Sequence, residues 1–204
     1  MERAAFLEAL DEYAAESAAG NGRFVTVTGE AGIGKTALLE AFREAHPELR
    51  WWSGACDGTF TPQPLGPLYE IAAVTGGRLH ALCRDDVDRR HLFTEVLADL
   101  EASDRTTAVV VEDLHWADEA TLDWLLFLAR RIPRTRTLVL VTYRDDDLGA
   151  DSALREVIGK IATHRATSRL SLTPLSREAV RHLAGSAPVP AARSTRCPAA
   201  TRSS

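Results

Sequence analysis

The sequence predicts an α/β fold, a three-layer sandwich with five parallel strands between two layers of helices, and three observations predict it. Strand-like and helix-like stretches follow one another from Phe6 to Leu172. The run Thr107-Ala108-Val109-Val110-Val111 is apolar throughout, which fits a strand covered on both faces in a parallel sheet. A Gly-rich loop, Gly29 to Thr36, joins a β-branched run to a stretch of good helix formers in the order strand, loop, helix.

Phe6, Leu7, Leu10, Tyr13 and Ala14 recur at helical spacing, so the first element is an amphipathic helix, broken by Gly20-Asn21-Gly22. Arg23-Phe24-Val25-Thr26-Val27-Thr28 is the first strand. The next eight residues, Gly29-Glu30-Ala31-Gly32-Ile33-Gly34-Lys35-Thr36, match G-x-x-x-x-G-K-[ST] at every fixed position and define a P-loop. Gly29, Gly32 and Gly34 let the backbone turn its N–H groups onto phosphate oxygens. The following helix points its positive end at the same anion. Lys35 brings a mobile charge to the β- and γ-phosphates, and the Thr36 hydroxyl suits Mg²⁺. Glu30, Ala31, Ile33 and Ala37 complete the nucleotide cradle. The alternative is a plain Gly-rich turn, but the full pattern arises by chance in about one 200-residue chain in a hundred.

Ala37 to Phe42 continues as a helix that Pro47 stops, and Arg50 to Cys56 reads as the second strand, with Trp51 and Trp52 as packing residues. Gly and Pro dominate from Asp57 to Pro67, so a long loop precedes a short helix from Leu65 to Val74. Leu92, Val96, Leu97 and Leu100 mark another helix, closed by Asp104-Arg105, and the third strand runs from Thr107 to Asp113.

That strand ends in Glu112 and Asp113, two acids at the carboxyl edge of the sheet, where ligands of such folds bind. Beside Mg²⁺ and its water the two charges are tolerable, because the cation reverses the usual desolvation argument. Successive strand residues face opposite ways, so the acids take different tasks: Glu112 the Mg²⁺ shell, Asp113 the attacking water. A strand ending in a polar turn is the competing reading.

Asp118 caps the next helix, whose core face is Leu122, Leu125, Leu126 and Ala129, with Trp124, Phe127 and Leu128 as a second apolar stripe before Pro133. Thr137 to Tyr143 is the fourth strand, and its end should also reach the phosphates. There Thr142 or Arg144 senses the γ-phosphate, or Arg144 pairs with Asp145, Asp146 and Asp147; the residues alone favour neither. Leu154, Val157, Ile158 and Ile161 give a helix, Arg169 to Leu172 the fifth strand, and Ser176 caps a last helix with Val180 and Leu183. From Ala187 to Ser204 the composition turns to Ala, Pro, Arg, Ser and Thr, which predicts a disordered tail after a single P-loop domain at 1–186.

The 204 residues suffice for one domain, and the net charge of −5 with mixed signs gives no electrostatic case for nucleic acid. The cluster Arg130, Arg131, Arg134 and Arg136 reads as a solvated helix end. Cys56, Cys83 and Cys197 have no metal-like spacing and no even count, which suggests a reduced, cytoplasmic compartment. No apolar run approaches membrane-spanning length, and no export signal opens the chain.

Taken together, Gly29-Glu-Ala-Gly-Ile-Gly-Lys-Thr36, Cys56-Asp-Gly, Pro64-Leu-Gly-Pro-Leu68, Val110-Val-Glu-Asp-Leu-His-Trp-Ala-Asp118, Thr142-Tyr-Arg-Asp-Asp146 and Leu172-Thr-Pro-Leu-Ser176 carry a resemblance. The chain resembles the P-loop ATPase module of the signal-transduction ATPases with numerous domains, especially large ATP-binding LuxR-type transcriptional regulators. The resemblance implies a sheet ordered 5-1-4-3-2, ATP and Mg²⁺ as cofactors, and an Mg·ATP switch with slow hydrolysis. It also implies ATP and ADP as ligands, nucleotide-dependent self-association, and no direct DNA contact or membrane from this chain. The site residues expected are Lys35, Asp113 and Arg144 for catalysis, 29–37 for the nucleotide, and Thr36 and Glu112 for the metal.

Similar proteins open with a Gly-Arg-Glu box near adenine, to which only Arg3 corresponds, and continue into a lid, sensor repeats and a helix-turn-helix that this sequence does not contain. A truncated module is therefore expected. Asp113, one methylene shorter than the usual glutamate, predicts slow turnover. The competing readings are a P-loop kinase of a small acceptor, using the Asp57 to Pro67 loop, and a non-enzymatic interaction domain. His115 and Trp116 belong to the resembling motif without a derivable role.

Overall fold

The computed structural model describes residues 3–58, 63–84, 88–146 and 152–174, all within one compact unit, Glu2–Pro174. The expected last helix and the tail lie outside the described residues. Five parallel strands, β1 (Arg23–Thr28), β2 (Arg50–Ala55), β3 (Thr107–Glu112), β4 (Thr137–Tyr143) and β5 (Thr167–Ser171), form one sheet in the order β2-β3-β4-β1-β5. Read from the other edge, this is the expected 5-1-4-3-2. The helices are α1 (Ala4–Ala18), α2 (Lys35–Ala45), α3 (Gly66–Thr75), α4 (Gly77–Arg84), α5 (Arg89–Glu101), α6 (Glu119–Ala129) and α7 (Ala153–Ala162).

The period-2 alternation of the strands builds a core on each face. Phe24, Val109, Val111, Val139, Val141 and Tyr143 look one way, into an apolar layer shared with residues of α3 to α7. Val25, Val27, Ala108, Val110, Leu138 and Leu140 look the other way, onto Leu10 and Ala14 of α1 and Leu38, Leu39 and Phe42 of α2. Every residue of β4 is buried, as are the first five of β3, and this explains their unbroken apolar runs. Trp124 and Leu128 are fully buried, so the second stripe of α6 is core. The tryptophans of β2 also pack: Trp52 is buried under the Arg50 guanidinium at 4.6 Å, and Trp51 meets Phe42 edge-on at 5.8 Å. At the end of α6, Arg131 donates to the Phe127 carbonyl at 3.1 Å, in keeping with a helix-end role for that cluster.

Several boundaries differ from expectation. β3 stops at Glu112, because Asp113 takes a left-handed backbone (φ 57°) and starts a 3₁₀ turn, Leu114–Trp116. β2 ends one residue early, at Ala55, and β5 spans Thr167–Ser171 instead of Arg169 to Leu172. α4 was not expected: Gly76 and Gly77, both at positive φ, end one helix and start the next, and Leu79 is its one buried residue.

Asp118 caps α6 as expected, its Oδ1 accepting from the Ala120 and Thr121 amides at 2.9 and 3.1 Å. Its Oδ2 also accepts from the Leu65 amide at 3.2 Å and from the Thr121 hydroxyl, fastening the start of α3 to α6. Asp118→Ala therefore removes a cap and strands two donors, a loss of about 2 to 4 kcal/mol in urea unfolding, whereas Asp118→Asn keeps most of it.

A second tie is pH-dependent. His46, after α2, bonds Asp11 of α1 at 2.9 Å and Glu48 at 2.7 Å. Burial alone lowers the imidazole pKa, but the bonds to Asp11 and Glu48 outweigh it and raise it above the ordinary value. A raised folded pKa stabilises fully below the unfolded pKa and loses that contribution as pH climbs through the folded one. The Tm advantage over His46→Gln should thus shrink between pH 5.5 and 8.5; an advantage that grows with pH contradicts the pairing.

Candidate nucleotide site

The carboxyl ends of β1, β3 and β4 bring the expected residues to one place. β1 ends at Thr28 and the chain turns through Gly29, Gly32 and Gly34 at φ 147°, 71° and 97° before α2 begins at Lys35. Gly29 has no substitute on steric grounds either, since a Cβ there would lie 2.9 Å from the Leu172 carbonyl oxygen. Glu30, Ala31 and Gly32 are exposed at the loop apex, Ile33 and Gly34 half-buried, and Thr36 and Ala37 exposed on the first turn of α2. The amides at this helix start have no side-chain cap, the condition in which a helix N-terminus takes an anion.

Lys35 is buried and folds back over the loop, donating to the carbonyls of Gly29 at 2.8 Å and Glu30 at 3.0 Å. Burial lowers its pKa, Asp113 works against that, and Arg144 reinforces it. Asp113 and Arg144 are the first residues after β3 and β4, at the carboxyl edge of the sheet where β1 leads into the loop.

Thr36 and Glu112, 76 positions apart in sequence, meet directly: the Thr36 hydroxyl donates to Glu112 Oε2 at 2.6 Å. Register explains it, since β3 lies between β2 and β4, with β1 next along, and Glu112 is its last residue. These are two hard oxygen donors side by side, the chemistry Mg²⁺ takes, and among the described residues no group of three His, Cys, Asp or Glu side chains forms a dedicated metal cage. A cation that keeps several waters and binds phosphate oxygens needs only one or two protein ligands, so Thr36 and Glu112 fit it.

Asp113 diverges from Glu112 more than strand alternation requires. Its left-handed backbone is held by its own amide, which donates to the buried Thr142 hydroxyl at 2.9 Å. Aspartate tolerates this region better than most residues. The carboxylate stays about half exposed, 3.8 Å from Nδ1 of the buried His115 ring. Thr142, expected as one candidate phosphate sensor, and His115, without an expected role, both border Asp113. A third contact was not foreseen in kind: Arg3, ahead of α1, donates to the Ile33 carbonyl at 2.6 Å and so bears on the loop backbone. Of the acids after Arg144, Asp145 is engaged by Arg169 at 2.7 Å.

Fold and site together define a P-loop ATPase domain. Residues 1–141 match the AAA ATPase domain family, and the chain belongs to that family. It is 29% identical over 159 residues to the HTH-type transcriptional regulator MalT of Cronobacter sakazakii, a match covering 73% of this chain and 17% of that regulator. Among solved structures it is similar to Cdc6p from Pyrobaculum aerophilum, with a TM-score of 0.60 and 18% identity over 89% of this chain and 48% of that one. It is also similar to a signal transduction ATPase with numerous domains carrying a tetratricopeptide repeat sensor from Pyrococcus horikoshii, with a TM-score of 0.50 and 18% identity over 85% of this chain and 24% of that one. These structures share the fold. The chain thus spans about a sixth of the regulator and half or less of those two structures. No helix among the described residues is long and apolar enough to cross a membrane.

Proposed function

We propose that this chain is an Mg·ATP-binding switch module that hydrolyses ATP slowly. The observation that carries the reading is the contact between Thr36 and Glu112 beside a Gly29–Lys35 loop whose lysine folds back onto the loop's own carbonyls. In this reading the amides of 29–37 and the Lys35 ammonium bind the triphosphate, and Thr36 and Glu112 hold Mg²⁺. When bound, that ion neutralises charge on the phosphate oxygens. Asp113 orients water in line with the γ-phosphate, and its half-exposed carboxylate is open to solvent for that task. Arg144 bears on the γ-phosphate from β4.

Slow turnover follows from Asp113: a short carboxylate on a left-handed backbone reaches less far toward a phosphorus than a glutamate on an extended one. The likeness to MalT supports a regulatory output, in which ATP and ADP favour different conformations and ATP promotes self-association. The domain in this reading is 1–186, with 187–204 outside it. Phosphate release tests the reading: the wild-type chain is expected to turn over below about 1 s⁻¹ and only with Mg²⁺. Glu112→Gln should raise the Mg²⁺ concentration needed for half-maximal rate by about tenfold. Release that is indifferent to Mg²⁺ and to Glu112 would remove Glu112 from the metal role.

A further inference from the structure

Asp113 leaves the sheet on a left-handed backbone, φ 57° and ψ 45°, a conformation that crowds the Cβ even where aspartate tolerates it. Three hydrogen bonds pin the chain at this point. The Glu112 carbonyl, just before it, accepts from the Cys56 amide at 2.9 Å, and the Asp113 carbonyl accepts from the Trp116 amide at 2.9 Å. The third is the bond from the Asp113 amide to the Thr142 hydroxyl, also 2.9 Å, and it alone of the three is made by a side chain. It forms where the parallel ladder has run out, since the pairing of β3 with β4 ends at Val111 and Val141.

The position of Thr142 suits it to this bond. Alternation along β4 puts it on the face of Leu138 and Leu140, which pack with Leu38, Leu39 and Phe42 of α2. It is 1% exposed, so its hydroxyl presents no surface to a nucleotide entering the loop. A β-branched side chain has little freedom at χ1, which fixes where the hydroxyl stands. By accepting the Asp113 N–H, that hydroxyl sets the direction in which the Asp113 side chain leaves the backbone. Glu112, one residue earlier, is meanwhile committed to Thr36 at 2.6 Å. The two adjacent acids are thus aimed separately, Glu112 by the loop helix and Asp113 by β4.

We infer that Thr142 is a positioning residue for hydrolysis: its hydroxyl holds Asp113 in the left-handed turn and so aims the Asp113 carboxylate, and sensing of the γ-phosphate is not its task. The inference rests on the proposed role of Asp113 in orienting water. A sensor touching the γ-phosphate would separate ATP from ADP in binding. A residue acting through Asp113 changes the rate of hydrolysis and leaves both affinities alone.

The test compares, in the full chain, Thr142→Val, which keeps the shape and loses the hydroxyl, with Thr142→Ser, which keeps the hydroxyl. Single-turnover phosphate release from prebound Mg·ATP is expected to slow about 10-fold to 100-fold in Thr142→Val and to recover most of the way in Thr142→Ser, with ATP and ADP affinities within about twofold of wild type in both. In an Asp113→Asn background Thr142→Val should slow release no further, because its effect passes through the carboxylate already removed. Amide hydrogen exchange at Asp113, followed by NMR, reads the hold directly and should be about tenfold faster in Thr142→Val and near wild type in Thr142→Ser. If the wild-type chain releases no phosphate while exchange follows this pattern, the hydrolysis reading falls and the hold on Asp113 stands. Equal exchange in all three chains, release at the wild-type rate by Thr142→Val, or a loss of ATP affinity with ADP affinity kept overturns the inference.

Discussion

Lys35→Ala is expected to lower the affinity for Mg·ATP by about 100-fold while the chain stays folded. The lysine is the one residue of the loop that carries a positive charge, and it lies across the loop, 2.8 to 3.0 Å from the Gly29 and Glu30 carbonyls. Burial disfavours its charge in the folded chain, and a triphosphate supplies the opposite charge that favours it. Arg144, the first residue after β4, does not replace a donor that reaches across the loop from the first turn of α2. Fluorescence titration with a labelled ATP analogue measures the loss, and far-UV circular dichroism separates it from unfolding. Affinity within twofold of wild type would exclude the loop as the nucleotide site.

Asp113→Asn is expected to leave ATP binding within about twofold and to slow phosphate release by about 100-fold to 1000-fold. The substitution keeps the side chain's shape and the left-handed backbone, which asparagine also tolerates, and keeps the backbone N–H donating to the Thr142 hydroxyl. What it removes is the proton acceptor. Single-turnover measurements with prebound ATP isolate this step from binding. If Asp113→Asn binds ATP poorly while Glu112→Gln hydrolyses at the wild-type rate, the two acids have exchanged roles.

How far the sequence carried the fold depended on how much local chemistry each element contains. β1 and β4 begin and end where their β-branched and apolar runs do, because both strands are covered on both faces and such residues fit a buried pleat. Asp118 was legible as a cap because capping is a local matter between a side chain and the next amides. Its second bond, to Leu65, was not, since that contact depends on the packing of α3 against α6. α4 escaped notice for a related reason: one buried leucine makes no stripe.

The strand order came through resemblance, since periodicity carries no information about which strands are neighbours. At the site, the P-loop and both acids were legible as residue types at required positions. The left-handed turn at Asp113 was not, because it is set by the departure of β3 from the sheet and by a hydroxyl on β4. Contacts across the sheet therefore mark the limit: Thr36 to Glu112 could be expected from chemistry, whereas Arg3 to the Ile33 carbonyl could only be seen.

Calorimetric titration of the wild-type chain with ATP and with ADP, each with and without Mg²⁺, tests the central claim most directly. The account predicts saturable binding of both nucleotides, tighter ATP binding when Mg²⁺ is present, and loss of that Mg²⁺ effect when Thr36 is changed to alanine. A folded chain that takes up neither nucleotide, or binds ATP identically with and without Mg²⁺, contradicts it.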